Sequence, residues 1–181
     1  MKTFISLLRG INVSGQNRVN MPELKRAYEA LELTNVRTYI QSGNVVFECA
    51  EQDPGILAER IEVEIARTFG CSVRVLLRDQ NQFQRILEGN PFLHERSEDP
   101  EKLYVTFLAG RPSEAILRQL IAPAGIPDEF RACGQEIHVF CPNGYGKTRI
   151  SNTFFEKKLG IPATTRNWKT VNALYEILVT S

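Results

Sequence analysis

The sequence predicts an α+β fold of two similar halves, each built on a mainly antiparallel sheet. Three observations carry that prediction. The stretch Val36 to Phe47 reads as a β-hairpin, two alternating patterns meeting at Ser42-Gly43-Asn44. The order strand, helix, strand, strand, helix, strand, helix occurs once before Asn90 and again after Glu101. Finally, Phe69-Gly70 and Leu159-Gly160 recur as helix stops, and Gly10 and Gly110 recur after the first strand of each half.

In chain order, Phe4 to Leu8 is a buried strand, and Ile11 to Asn20 is rich in turn residues and reads as a long loop. Asn20 with Glu23 fits a capping box and Pro22 suits a first helical turn, after which Leu24, Tyr28 and Leu31 share one helical face. In the hairpin, Val36, Thr38 and Ile40 point to the core while Arg37, Tyr39 and Gln41 point away, because strand side chains alternate. Asp53-Pro54 opens a second helix whose Leu57, Ile61, Ile65 and Phe69 repeat every fourth residue until Gly70. Val73 to Leu77 is a strand, and Asp79 caps a short helix carrying Phe83, Ile86 and Leu87.

From Asn90 to Glu101 the proline- and charge-rich composition reads as a solvated linker, which divides the chain into 1–95 and 96–181. Leu103 to Leu108 is then a strand, Pro112 starts a helix, and Phe130 to Cys133 and Ile137 to Cys141 form a hairpin turning at Gly134-Gln135. Ile150 to Leu159 is helical, Ala163 to Arg166 is a strand, and Val171, Leu174, Tyr175 and Leu178 mark a last helix. Gly10 and Gly110 are one hundred residues apart but the two helix stops only ninety, so the first half carries an insertion at 11–20. Each half is therefore expected to be a ferredoxin-like unit, βαββαβ plus a helix, with function on the added loop.

The 181 residues are 43% hydrophobic, enough for a substantial core. With 22 basic and 21 acidic side chains the formal charge is +1, so no global field holds polyanions or anionic membranes. Cys49, Cys71, Cys133 and Cys141 show neither a zinc spacing nor a dense disulfide pattern, and no cofactor or metal is implied. Arg9 interrupts the apolar N-terminal run, and no run approaches the roughly 18 to 20 residues that cross a bilayer. The expected address is the cytoplasm.

Three motifs stand in order: Leu8-Arg9-Gly10-Ile11-Asn12-Val13 with Met21 and Leu24, Thr38 to Phe47 around Gln41-Ser42-Gly43-Asn44, and Thr165-Arg166-Asn167-Trp168-Lys169-Thr170-Val171. Together they resemble the bacterial domain-of-unknown-function family numbered 1697 over nearly the whole chain. Ser14 departs from it, since that family tends to have glycine before Gly15. The resemblance implies a soluble, cytoplasmic bacterial protein of duplicated ferredoxin-like architecture and brings no activity, substrate or cofactor with it.

The candidate ligand-binding residues are strand ends and loops. Arg9 ends the first strand, where a guanidinium grips carboxylate or phosphate or else closes the loop on itself; Asn12 and Gly15 suit a sharp turn or offer backbone donors. Ser42 and Asn44 form the hairpin tip, and Tyr39 beside them is a stacking surface or an interface. Gly144 to Thr148 lies between strand and helix but is no Walker A motif, because Cys141 stands where a glycine is needed; Lys147 with Arg149 is left as an anion contact or a solvated lysine. Arg166 and Trp168 pair a cation with a flat indole, while Asn167 is a natural N-cap. No residue is identified as catalytic: His94 and His138 neighbour no serine or cysteine in a triad pattern. The expected activity is binding of a small anionic or phosphorylated ligand where the 9–17 loop, the 42–44 turn and the 166–168 junction converge. The alternatives are an enzyme acting on a small metabolite between the halves and single-stranded RNA binding on an open sheet face.

Overall fold

The computed structural model describes residues 1–13, 15–51 and 53–180; Ser14, where the sequence departs from the family pattern, lies outside the described residues. The chain divides into two compact units, Met1–Gln84 with the stretch from Ala173 onward, and Arg85–Asn172. The first unit runs β1 (Lys2–Leu8), α1 (Met21–Ala30), β2 (Thr34–Tyr39), β3 (Asn44–Cys49), α2 (Pro54–Phe69) and β4 (Val75–Asp79), followed by α3 (Gln80–Glu88). Its strands lie in the order β2-β3-β1-β4, every pair antiparallel. The second unit contains α4 (Pro91–His94), β5 (Leu103–Leu108), α5 (Glu114–Gln119), β6 (Glu129–Cys133), β7 (Glu136–Phe140), α6 (Asn152–Leu159) and β8 (Ala163–Asn167), and α7 (Trp168–Val179) begins in it. Its order, β6-β7-β5-β8, repeats the first antiparallel arrangement. Two similar α+β halves with four-stranded sheets are thus the architecture, and they fit duplicated ferredoxin-like units.

Local chemistry sets the helix ends. Asp53 accepts the amides of Gly55 and Ile56 at 2.8 and 3.2 Å, and Gly70 ends α2 with a left-handed φ of 67°. Asp79 and Gln82 exchange reciprocal bonds at the start of α3, at 2.9 and 2.8 Å. In the first unit Leu24, Tyr28, Leu57, Ile61 and Ile65 pack on Phe4, Leu8, Val45 and Phe47. Inside that core Ser6 and Tyr28 join their hydroxyls at 2.6 Å, so neither is left unsatisfied.

Two sequence expectations change. Ile40 does not continue the core face of β2: the strand ends at Tyr39, and Ile40 enters the turn with a φ of 49°, 49% exposed. The 90–101 segment is not simply a solvated linker, because Asn90 accepts the Phe92 amide at 3.1 Å, Pro91 starts a helical turn, and Phe92 is buried. Asn90 and Pro91 are a helix-start signal, and an aromatic two residues on gives the turn something to bury. Among the described residues no helix is long and apolar enough to cross a membrane.

Candidate functional site

In the first unit the connection from β1 to α1 folds back onto the hairpin tip, and Asn12 ties the two together. Its φ of 54° is left-handed, a conformation that Asn tolerates better than most side chains. From there its Nδ2 donates to the Val19 and Gln41 carbonyls at 3.0 and 2.9 Å, and its Oδ1 accepts the Val19 amide at 2.9 Å. Asn17, also left-handed at 46°, donates through Nδ2 to the Gly10 carbonyl at 3.1 Å. Asn44 is buried at the tip and donates to the Tyr39 carbonyl at 3.0 Å and to Ser42 Oγ at 2.9 Å. Gly43 is required where it stands: its φ is 76°, and a Cβ there would lie 2.6 Å from Ile11 Cδ1 and 2.8 Å from Leu8 Cβ. Loop and turn therefore form one rigid corner.

That corner, the start of α1 and the end of α2 border an open cleft of about 590 Å³ whose wall includes Asn12, Gly15, Arg18, Glu23, Gln41 and Phe69. Asn12 is already committed to backbone groups. Arg18 is exposed and, among the described residues, has no acidic partner. Glu23 is half-buried: its amide donates to Asn20 Oδ1 at 3.1 Å, yet its carboxylate makes no return bond. Only half of the expected capping box forms. Arg9 is not part of this wall; it continues β1, its amide donating to the Arg74 carbonyl at 2.9 Å.

Tyr39 opposes Asn44, which opposes Leu7, so it lies on the sheet face away from Ser6 and Tyr28. On that face Ile5, Leu7, Val46 and Leu76 are buried, so its centre is not an exposed stacking platform. Lys147, Arg166, Asn167 and Trp168 belong to the second unit. Lys147 is exposed in a 3₁₀ turn that its neighbours fasten down: Tyr145 Oη accepts the Asn152 amide at 2.9 Å and donates to Thr165 Oγ1 at 3.0 Å, and Thr148 Oγ1 donates to Asp128 Oδ2 at 2.8 Å. Arg166 is buried and donates to Thr164 Oγ1 at 2.7 Å and to the Thr165 carbonyl at 3.0 Å; burial holds its pKa down to about 10. Asn167 caps α7 by accepting the Thr170 amide at 2.8 Å, and Trp168 is buried beside it.

Burial mutes two groups with catalytic potential, His138 and Cys141. His138 is 2% exposed with Nδ1 unpartnered, and desolvation pushes its pKa down to about 4, so it is neutral at pH 7. Burial pushes the Cys141 thiol up to about 11, away from the thiolate a nucleophile needs. Among the described residues no group of three or more His, Cys, Asp or Glu is arranged to hold a metal ion. Of the residues in the cleft wall, the sequence singles out Asn12 and Gly15 as site residues and misses Arg18, Glu23, Gln41 and Phe69 in that role. The usable signal was Arg18, a cation inside the inserted loop just before the Asn20 cap.

A family model described as "Protein of unknown function (DUF1697)" matches residues 1–138. Among solved structures, the conserved bacterial protein SP0830 from Streptococcus pneumoniae is similar at 25% identity and a TM-score of 0.74, over 98% of each chain. No curated protein matches the chain.

Proposed function

The chain belongs to the DUF1697 family, and we propose that its role is to bind a small ligand through an anionic group in the cleft of the first unit. One observation carries this reading: Arg18, a cation without an acidic partner among the described residues, lines the same cleft as Asn12, whose side chain is clamped to the Val19 and Gln41 backbone. A rim rigid before binding loses little entropy when a ligand arrives. The guanidinium supplies planar donors for carboxylate or phosphate. Phe69 offers the ligand an apolar contact.

The test is thermal unfolding with inorganic phosphate, acetate and small carboxylates. A ligand at about one hundred times its dissociation constant stabilises by roughly 2.7 kcal/mol. Arg18→Ala abolishes the shift, whereas Lys147→Ala leaves it intact. A shift that survives Arg18→Ala and disappears with Lys147→Ala moves the site to the second unit and ends this reading.

A further inference from the structure

The charges around the cleft are not those of a pure anion site. Arg18 brings one positive charge and Glu23 one negative charge to the same wall, and no ion pair joins them within 4.0 Å. Glu23 occupies the position from which a capping-box carboxylate bonds back to the N-cap amide, yet that bond is absent although Asn20 makes its own half at 3.1 Å. It is also half-buried, so water screens it less than a free surface carboxylate. The Glu23 carboxylate on the cleft wall is open to a cation, and the protein supplies none among the described residues.

We propose that the ligand is a zwitterion of the amino-acid class, its carboxylate on Arg18 and its ammonium on Glu23. This rests on the reading of the cleft as an anion site and narrows it. A multiply charged phosphate meets Arg18 with attraction and Glu23 with repulsion, whereas a zwitterion meets both with attraction. The Gln41 side chain adds a neutral donor and acceptor, and Phe69 an apolar contact for a side chain.

The experiment is titration calorimetry on the full chain with glycine, L-leucine, their N-acetylated forms and inorganic phosphate. The free amino acids are expected to bind at least about tenfold more tightly than the N-acetylated forms, which keep the carboxylate and lose the ammonium. Glu23→Gln is expected to erase that preference and to strengthen phosphate binding. Glutamine serves the third helical position as well as glutamate, so the variant keeps α1 folded. Equal affinity for free and N-acetylated forms, or a preference unchanged in Glu23→Gln, overturns the zwitterion while Arg18-dependent anion binding stands. Binding undiminished in Arg18→Ala, or no heat from any of these probes, overturns both.

Discussion

The two units carry the same sheet and elaborate opposite ends of it. In the first, the β1–α1 connection spans 9–20 and the β3–α2 connection only 50–53; in the second, the β5–α5 connection is 109–113 and the β7–α6 connection 141–151. Each unit has lengthened one strand-to-helix loop and kept the other short. The lengthened loops are held by different chemistry. The first is fastened by asparagines to backbone carbonyls, which leaves the Arg18 and Glu23 charges uncommitted; the second is fastened by Tyr145 and Thr148 hydroxyls to side chains and amides. Duplicated scaffolds diverge at such loops because insertions there leave the sheet register untouched.

Across the face away from the core helices the correspondence is residue by residue. In the first sheet Arg37, Val46, Ile5 and Arg78 stand opposite one another; in the second, Arg131, His138, Val105 and Arg166. Arg78 and Arg166 are both buried, and each donates through Nη1 to the carbonyl of the residue before it, at 2.8 and 3.0 Å. The rows differ most at Val46 and His138. The second unit has a titratable group where the first has a hydrocarbon.

The hairpin glycines offer the sharpest way to break the parallel. Gly43 and Gly134 both have positive φ, but a Cβ on Gly134 meets nothing within 4 Å. Gly43→Ala is expected to cost about 2–4 kcal/mol by overpacking and backbone strain together, and Gly134→Ala only about 1 kcal/mol from strain, both measured by urea unfolding. Equal costs would show that the tip does not press on Leu8 and Ile11.

His138→Val makes the second row resemble the first. In the folded chain His138 has a pKa of about 4 against an ordinary 6.5, so the unfolded chain binds the proton more readily. The stability it confers is complete above pH 6.5 and is lost as the pH falls from there through about 4, a loss of about 3 kcal/mol. The valine variant should unfold less readily than the parent at pH 4 and show a flatter profile between pH 7 and 4. A parallel profile would mean that His138 is protonated in the fold.

Asn12→Ala removes three bonds and puts alanine at a left-handed φ, with about 2 kcal/mol expected. It should also weaken anion binding while Arg18 remains, which separates the clamp from the charge. Tyr28→Phe deprives Ser6 of its partner and is the mildest, about 1 kcal/mol, detectable as a small shift in Tm.

Much of the fold was legible because it rests on local rules. Asp53, Asp79 and Asn167 were readable as caps and Gly70 and Gly160 as stops, since each acts on amides or dihedrals within a few residues. Ile40 was misread because alternation says which way a residue points only while the strand lasts. What ended it, Asn44 bonding Tyr39 and Asn12 bonding Gln41, involves partners up to 29 residues away. The candidate site was legible only in part: Asn12 and Gly15 stood out as turn residues, and Arg18 was marked only by its place in the inserted loop, because which charges share a cleft depends on how distant segments meet.

The sequence by itself determined the repeat, the order of its main elements and the long loop of the first unit, because periodicity, caps and glycine stops are written within single turns of chain; the short helix Pro91–His94 and the long 141–151 connection escaped it. Tertiary structure alone decided that Gly43 presses on Ile11, that Glu23 is left without its return bond, and that His138 is sealed from water. Those facts depend on which distant residues meet, and burial and charge pairing are properties of the meeting, not of the residue.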